Sequence, residues 1–232
     1  LPLIIDPWAT YYGGKGNEYS ADIATDITGN VHITGHTISS NFPVSPGAFQ
    51  ATSGGKWDAF VVKFSSAGTL AWATYYGGSA LDYSQGIATD IVGNVYITGY
   101  TNSVNFPVLS GFQMSYAGPG SDAFVVKFNS AGSRVWATFY GGSAGDMGQS
   151  IATDIAGNVY ITGSTASSNF PVLSGFQMAF AGGSFLWDAF LIKFSSAGTL
   201  IWATFFGGGN DDFGKGITTD IAGSIYITGY TK

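Results

Sequence analysis

Four tryptophans set the frame of this chain. Trp8, Trp72, Trp136 and Trp202 stand 64, 64 and 66 residues apart, and each opens nearly the same words: WATYYGG at 8 and 72, WATFYGG at 136, WATFFGG at 202. The stretch TDITGNVHITGHT (25–37) returns as TDIVGNVYITGYT (89–101), TDIAGNVYITGST (153–165) and TDIAGSIYITGYT (219–231). NFPV recurs at 41, 105 and 169, and DAF at 58, 122 and 188. A fixed period means that each copy is one supersecondary unit. Such a unit buries its apolar face only against its neighbours.

Each copy reads as four strands. GIATDI (86–91) and NVYITGYT (94–101) flank a Gly-Asn turn, a hairpin signal. DAFVVKF (122–128) and RVWATFY (134–140) flank NSAGS, a second hairpin. Phe124, Val126 and Phe128 fall on one face of their strand; Ala123, Val125 and Lys127 fall on the other. No stretch carries a helical period. The chain has 18 Phe, 13 Tyr, 6 Trp and 35 Gly, which excludes the aromatic-poor composition of disorder. A four-stranded antiparallel unit at fixed spacing predicts a propeller blade. The period exceeds the roughly 40–45 residues of a compact blade. The excess is one loop, at 38–57, 102–121 and 166–187, carrying Phe42, Phe49 and Trp57 in its first copy.

The run WATYYGGSALDYSQGIATDIVGNVYITGYTNSVNFPVLSGFQ (72–113), followed by DAFVVKFNSAG (122–132), resembles the SBBP repeat, a bacterial and archaeal β-propeller family. The likeness covers nearly the whole chain. GIATDIVGNVYITG is also similar to the first hairpin of NHL-type blades. These resemblances imply a strand order with GIATD innermost, then VYITG, then DAFVVKF, and WATYYGG outermost. They imply an extracellular setting but no activity, since function does not follow from fold.

In that phase the chain is a single all-β domain, 1–232: a β-propeller with four blades of four-stranded antiparallel sheet. Three blades are complete, at about 20–76, 84–140 and 149–206. The fourth has inner strands at 215–221 and 225–231, and residues 8–12 are expected to close it as its outer strand. It stays short by one strand, the equivalent of DAFVVKF. Either the ring tolerates that gap, or a neighbouring chain fills it.

Net charge is −6, and the eight basic residues are spread singly, which excludes the phosphate-neutralising patch of a nucleic-acid binder. No apolar run approaches the length of about 18 residues that a transmembrane segment needs. LPLII at the start is too short for a signal peptide and lacks a basic flank. The absence of cysteine fits an exported bacterial or archaeal surface protein.

The charged residues follow the repeat. Asp26, Asp90, Asp154 and Asp220 share one position; Lys63, Lys127 and Lys193 share another and face apolar neighbours. A buried ammonium requires a partner, so Asp26, Asp90 and Asp154 are expected to pair structurally with Lys63, Lys127 and Lys193. Asp220 lacks a matching lysine. Asp58, Asp122 and Asp188 open strands and are expected to fix them by hydrogen bonding. Glu18, Asp82, Asp146 and Asp212 follow GG, in loops expected on the same ring face as the long NFPV loops. With Trp57 and Trp187 they form the candidate ligand-binding set. Two readings stand for the carboxylates: they fix the turn, or they bind a glycan or Ca²⁺. His32 and His36 lie four residues apart on one strand, too far for one ion, and read as substitutes for Tyr96 and Tyr100. GGKG (13–16) lacks phosphate-loop spacing. No nucleophile–base set emerges, so no catalytic residue and no cofactor is expected.

The expectation is a non-enzymatic extracellular or cell-surface structural protein that self-associates through its incomplete blade into fibres or a surface layer. The alternative is a multivalent lectin-like module using the acidic, aromatic face.

Overall fold

The computed structural model describes residues 8–183 and 186–232. Among them all regular structure is strand. One sheet comprises β1 (Glu18–Thr25), β2 (Val31–Thr37), β3 (Asp58–Phe64) and β4 (Leu70–Tyr76). The second comprises β5 (Asp82–Thr89), β6 (Val95–Thr101), β7 (Asp122–Phe128) and β8 (Arg134–Tyr140). The third comprises β9 (Asp146–Thr153), β10 (Val159–Thr165), β11 (Asp188–Phe194) and β12 (Leu200–Phe206), and β13 (Asp212–Thr219) with β14 (Ile225–Thr231) forms a two-stranded fourth. Every strand pairing within the sheets is antiparallel and every sheet keeps sequence order, as the two hairpin signals require.

Local chemistry fixes these hairpins. In the first turn of the second sheet, Asp90 accepts from the amides of Val92 (3.1 Å) and Asn94 (2.9 Å), and Gly93 supplies the positive φ of 81°. Inside the hairpin Gly99 lies so close to β5 that a side-chain carbon there would fall 1.9 Å from the Tyr83 carbonyl oxygen.

The sheets pack face to face in a row, with β1 against β5, β5 against β9 and β9 against β13. Three side-chain bonds repeat along it. The hydroxyls of Thr89, Thr153 and Thr219 donate to the carbonyls of Thr25 (3.0 Å), Thr89 (2.9 Å) and Thr153 (2.8 Å). Two of the tryptophans that frame the sequence lock their outer strands, β4 and β8, onto the next sheet. Trp72 Nε1 donates to Ser130 O and Trp136 Nε1 to Ser196 O, both at 3.1 Å. Phe106 and Phe170, from NFPV, are buried in the same junctions against Phe124 and Phe190.

The long loops are more than connections on one face. Each runs back along its outer strand, bridging Leu109 to Ala137, Gln113 to Phe139, Leu173 to Ala203 and Gln177 to Phe205. This covers an edge that would otherwise offer free N–H and C=O groups.

Residues 8–12 take the packing expected of an outer strand but not its pairing. They make no strand, and β13–β14 remains two-stranded. Trp8 packs on Phe64 at 5.7 Å, and the Tyr12 hydroxyl donates to Pro43 O at 2.5 Å. Trp136 packs on Phe194 at 5.9 Å, and Tyr140 donates to Pro171 O at 2.5 Å. Residues 8–12 therefore occupy, on the first sheet, the place that an outer strand takes on the sheet after its own. The edge of β14 away from β13 carries no partner strand among the described residues, and its side chains are largely exposed. LPLII lies outside the described residues.

Candidate binding face

Three layers of side chains order the inner strands: one at the turns that close β1, β5, β9 and β13, and two at the opposite ends, where those strands begin. The first is the TD-GN turn. Its aspartates are held by hydrogen bonds: Asp154 accepts from the amides of Ala156 and Asn158 (2.9 Å each), from Asn158 Nδ2 (2.7 Å) and from the Tyr160 hydroxyl (2.9 Å). Burial alone would raise the Asp154 pKa, but these donors outweigh it and hold the carboxyl below its usual range.

The expected ion pairs need correction here. Lys63 reaches Asp26 at 3.4 Å, but Lys127–Asp90 and Lys193–Asp154 make no direct ion pair among the described residues. The residue between them decides this. Tyr96 and Tyr160 donate their hydroxyls to Asp90 and Asp154, and Lys127 and Lys193 lie over those rings at 5.1 and 5.0 Å. Lys127 then donates to Ser196 O at 2.9 Å. In the first repeat the shorter His32 stands there, its Nε2 3.2 Å from Asp26, and leaves room for the ammonium. Burial lowers the His32 pKa, so it is neutral at physiological pH. Asp220, without a lysine, still accepts from Ala222, Ser224 and Tyr226.

The second layer holds the acidic residues after GG. They are not loop residues: each is the first residue of an inner strand. Asp82 and Asp146 are fully buried and Asp212 nearly so. Asp82 accepts from Thr101 Oγ1, from Ser103 Oγ (2.9 Å) and from the Gly78 amide (2.7 Å), and Asp146 repeats the set with Thr165, Ser167 and Gly142. Glu18 accepts from Thr37 at 2.9 Å and from Ser39. These bonds close the GG turn onto the NFPV loop, so the turn-fixing reading accounts for the donors, and the expectation of open ligand carboxylates is corrected. Burial pushes Asp82 up to about 6 and Asp146 to about 7.

The third layer is aromatic and partly exposed. Tyr19 stands opposite His36 and Tyr83 opposite Tyr100 across their hairpins. Trp57 lies between the two pairs, 5.6 Å from Tyr19, 5.2 Å from His36 and 6.0 Å from Tyr83. At the far end Trp187 stacks on Phe213 at 6.1 Å, and Phe213 on Tyr230 at 4.9 Å. Ser121, Met147 and Ser164 interrupt the series between them. The sequence reading named Trp57 and Trp187 but missed their neighbours. The register of the Gly-Asn turn alone would set Tyr83 opposite Thr101; a bulge between Ser84 and Gly86 shifts it by one and brings Tyr83 to Tyr100, which the turn signal does not announce. No group of three or more His or acidic side chains able to hold a metal converges among the described residues.

The SBBP beta-propeller repeat matches residues 8–43, 71–107, 135–171 and 201–232. The chain belongs to the SBBP beta-propeller repeat family. Each matched segment starts at or next to a framing tryptophan, and those starting at 8, 71 and 135 end within or just after NFPV. The SBBP chain is 26% identical over 172 residues to an uncharacterized WD repeat-containing protein of Acanthamoeba polyphaga mimivirus, and spans only 12% of that protein's length. A gluconolactonase from Xanthomonas campestris is similar at 14% identity and a TM-score of 0.43, over 98% of this chain and 58% of the other. No helix among the described residues is long and apolar enough to cross a membrane.

Proposed function

We propose that this chain is a non-enzymatic structural module of the cell surface or exterior that associates with copies of itself through its two end sheets. One observation carries the reading: the sheet-to-sheet junction is complete twice inside the chain, half-made where the third sheet meets the two-stranded β13–β14, and unmade on the outer face of β1. On one side Phe206 is 54% exposed, whereas its equivalents Tyr76 and Tyr140 are fully covered by the next sheet. The Thr219 carbonyl is the acceptor that a following inner-strand threonine would use. On the other side Thr25 is the matching donor, and Tyr19 and Ile23 of β1 are 54% and 63% exposed. A head-to-tail second copy supplies a β1–β4 face to β13–β14 and brings residues 8–12 to its outer edge. Such a heterologous contact closes into a ring or extends as a fibre. Closure within one chain, as a four-bladed ring with a thin last blade, uses the same groups and is the competing outcome.

Analytical ultracentrifugation with electron microscopy tests this. Oligomers or fibres are expected, and Ile227→Lys on β14 dissolves them. A chain that stays monomeric at high concentration overturns the proposal.

The aromatic cluster around Trp57 favours a second reading, glycan binding by ring stacking. The adjacent carboxylates are engaged by hydroxyls and amides, so affinity would rest on the rings and not on Ca²⁺. A glycan array read with and without Ca²⁺, with Trp57→Ala as control, tests it; no binding removes it.

A further inference from the structure

Each pair of consecutive sheets buries two carboxyls side by side. Asp58, Asp122 and Asp188, which open β3, β7 and β11, are wholly buried, as are Asp82 and Asp146. One oxygen of each strand-opening aspartate is well used: Asp58 Oδ2 accepts from Ser53 (2.5 Å) and from the amides of Gly54 and Gly55. Asp122 Oδ2 accepts from Ala117 N (2.9 Å) and Gln113 Nε2 (3.1 Å). The other oxygen, Oδ1 of Asp58, Asp122 and Asp188, has no partner in any of the three.

That orphan oxygen lies near the second carboxylate, on the same side of a glycine. The point where a side chain would start on Gly77 lies 2.4 Å from Asp58 Oδ1 and 2.7 Å from Asp82 Oδ2, so the two oxygens are no farther apart than the sum of these distances. At Gly141 the distances are 2.9 Å to Asp122 Oδ1 and 2.6 Å to Asp146 Oδ2; at Gly207 they are 3.1 Å to Asp188 Oδ1 and 2.8 Å to Asp212 Oδ2. The glycine is what lets the carboxyls approach. No salt bridge reaches any of the six among the described residues. Besides one another, the ionisable groups near them are Tyr75, which lies in the field of Asp58 and Glu18, and Tyr116, which lies in that of Asp82, Asp122 and Asp146. Both phenols are raised by burial and stay neutral. Lys232, at the open end, is engaged by Asp211.

Two buried anions without a counter-charge are not both stable. A divalent ion is a poor solution, since Ca²⁺ takes about six to eight oxygens, and the three donors on Asp82 already engage both its oxygens. A proton needs only one vacant lone pair and one nearby acceptor. We propose that Asp58 with Asp82, Asp122 with Asp146, and Asp188 with Asp212 each bind one proton on folding, carried on the orphan Oδ1 and directed at the neighbouring carboxylate. The proton comes from solvent and returns to it on deprotonation. Three protons are thereby integral to the SBBP junctions, and their withdrawal loosens the GG turns beneath the aromatic face. Burial also raises Asp58 and Asp188, and pushes Asp122 to about 6, in the same sense.

The test is thermal melting between about pH 4, near the unfolded carboxyl pKa, and about pH 8. It uses a His32→Tyr/His36→Tyr background, residues that the second repeat itself carries, so no histidine titrates. The folded chain holds more protons than the unfolded one in this window, so the melting temperature falls as pH rises. Asp58→Asn/Asp122→Asn/Asp188→Asn, which puts a fixed donor where the proton sits, flattens the fall. A level profile in the parent, or an unchanged slope in the triple variant, overturns the proposal. So does Ca²⁺ restoring the melting temperature at the alkaline end, which would assign the pairs to a metal. Should the triple variant fail to fold, infrared spectroscopy of the unmodified chain decides. A buried protonated-carboxyl band present at about pH 5 and gone by about pH 8.5 supports it; no such band at the lower pH refutes it.

Discussion

Tyr140→Phe removes one oxygen from the junction between the second and third sheets and nothing else. The hydroxyl is fully buried and donates to Pro171 O at 2.5 Å, and no other donor serves that carbonyl among the described residues. The ring contacts with Phe170 (5.0 Å) and Phe194 (5.7 Å) stay in place. Pro171 is only half-buried, so water can reach its carbonyl, and the loss is that of one net hydrogen bond, about 0.5–1.5 kcal/mol. The phenol's pKa is driven far up by burial, so it donates at every practical pH and the cost is pH-independent. Urea denaturation, with the m-value unchanged, is the measurement. The repeat supplies its own control: Phe206→Tyr adds the same oxygen where no partner exists, and its stability change is expected to be near zero in dilute solution. A Tyr140→Phe cost below about 0.5 kcal/mol, under the usual net worth of a hydrogen bond, would refute the view that these tyrosines latch one sheet to the next.

Gly99→Ala places a carbon 1.9 Å from the Tyr83 carbonyl oxygen; backbone must move, and loss of the folded state at moderate temperature is expected by circular dichroism. Asp154→Ala frees four donors, including the buried Tyr160 hydroxyl, at a cost of about 1–3 kcal/mol by chemical denaturation. Because the Asp154 pKa is depressed, this contribution is present above the unfolded carboxyl value and disappears as pH falls through the folded one. The gap between parent and variant should therefore narrow in acid.

Much of this fold is dictated by short-range chemistry that a sequence displays openly. Asp-x-x-Gly-Asn closes a turn because the carboxylate reaches two amides and glycine accepts a positive φ; alternation then assigns the faces, and a constant period forces one solution on every copy. Those are local rules, and they yielded the strands, their order and the repeating sheets. The site was less legible. Asp82 reads as an open loop carboxylate, since nothing in GGSALD announces that Thr101 and Ser103 will engage it from another strand. The lysine–aspartate pairing failed in two repeats because Tyr96 and Tyr160 intervene, a matter of side-chain length across adjacent strands. How residues 8–12 bond was likewise beyond the sequence: Trp8 and Tyr12 spell an outer strand, yet they make no ladder with β13–β14 and are held by Phe64 and Pro43 of the first sheet. Burial, finally, is a property of the assembled row and not of any one residue, which is why the paired carboxyls with their orphan oxygens emerge only in three dimensions.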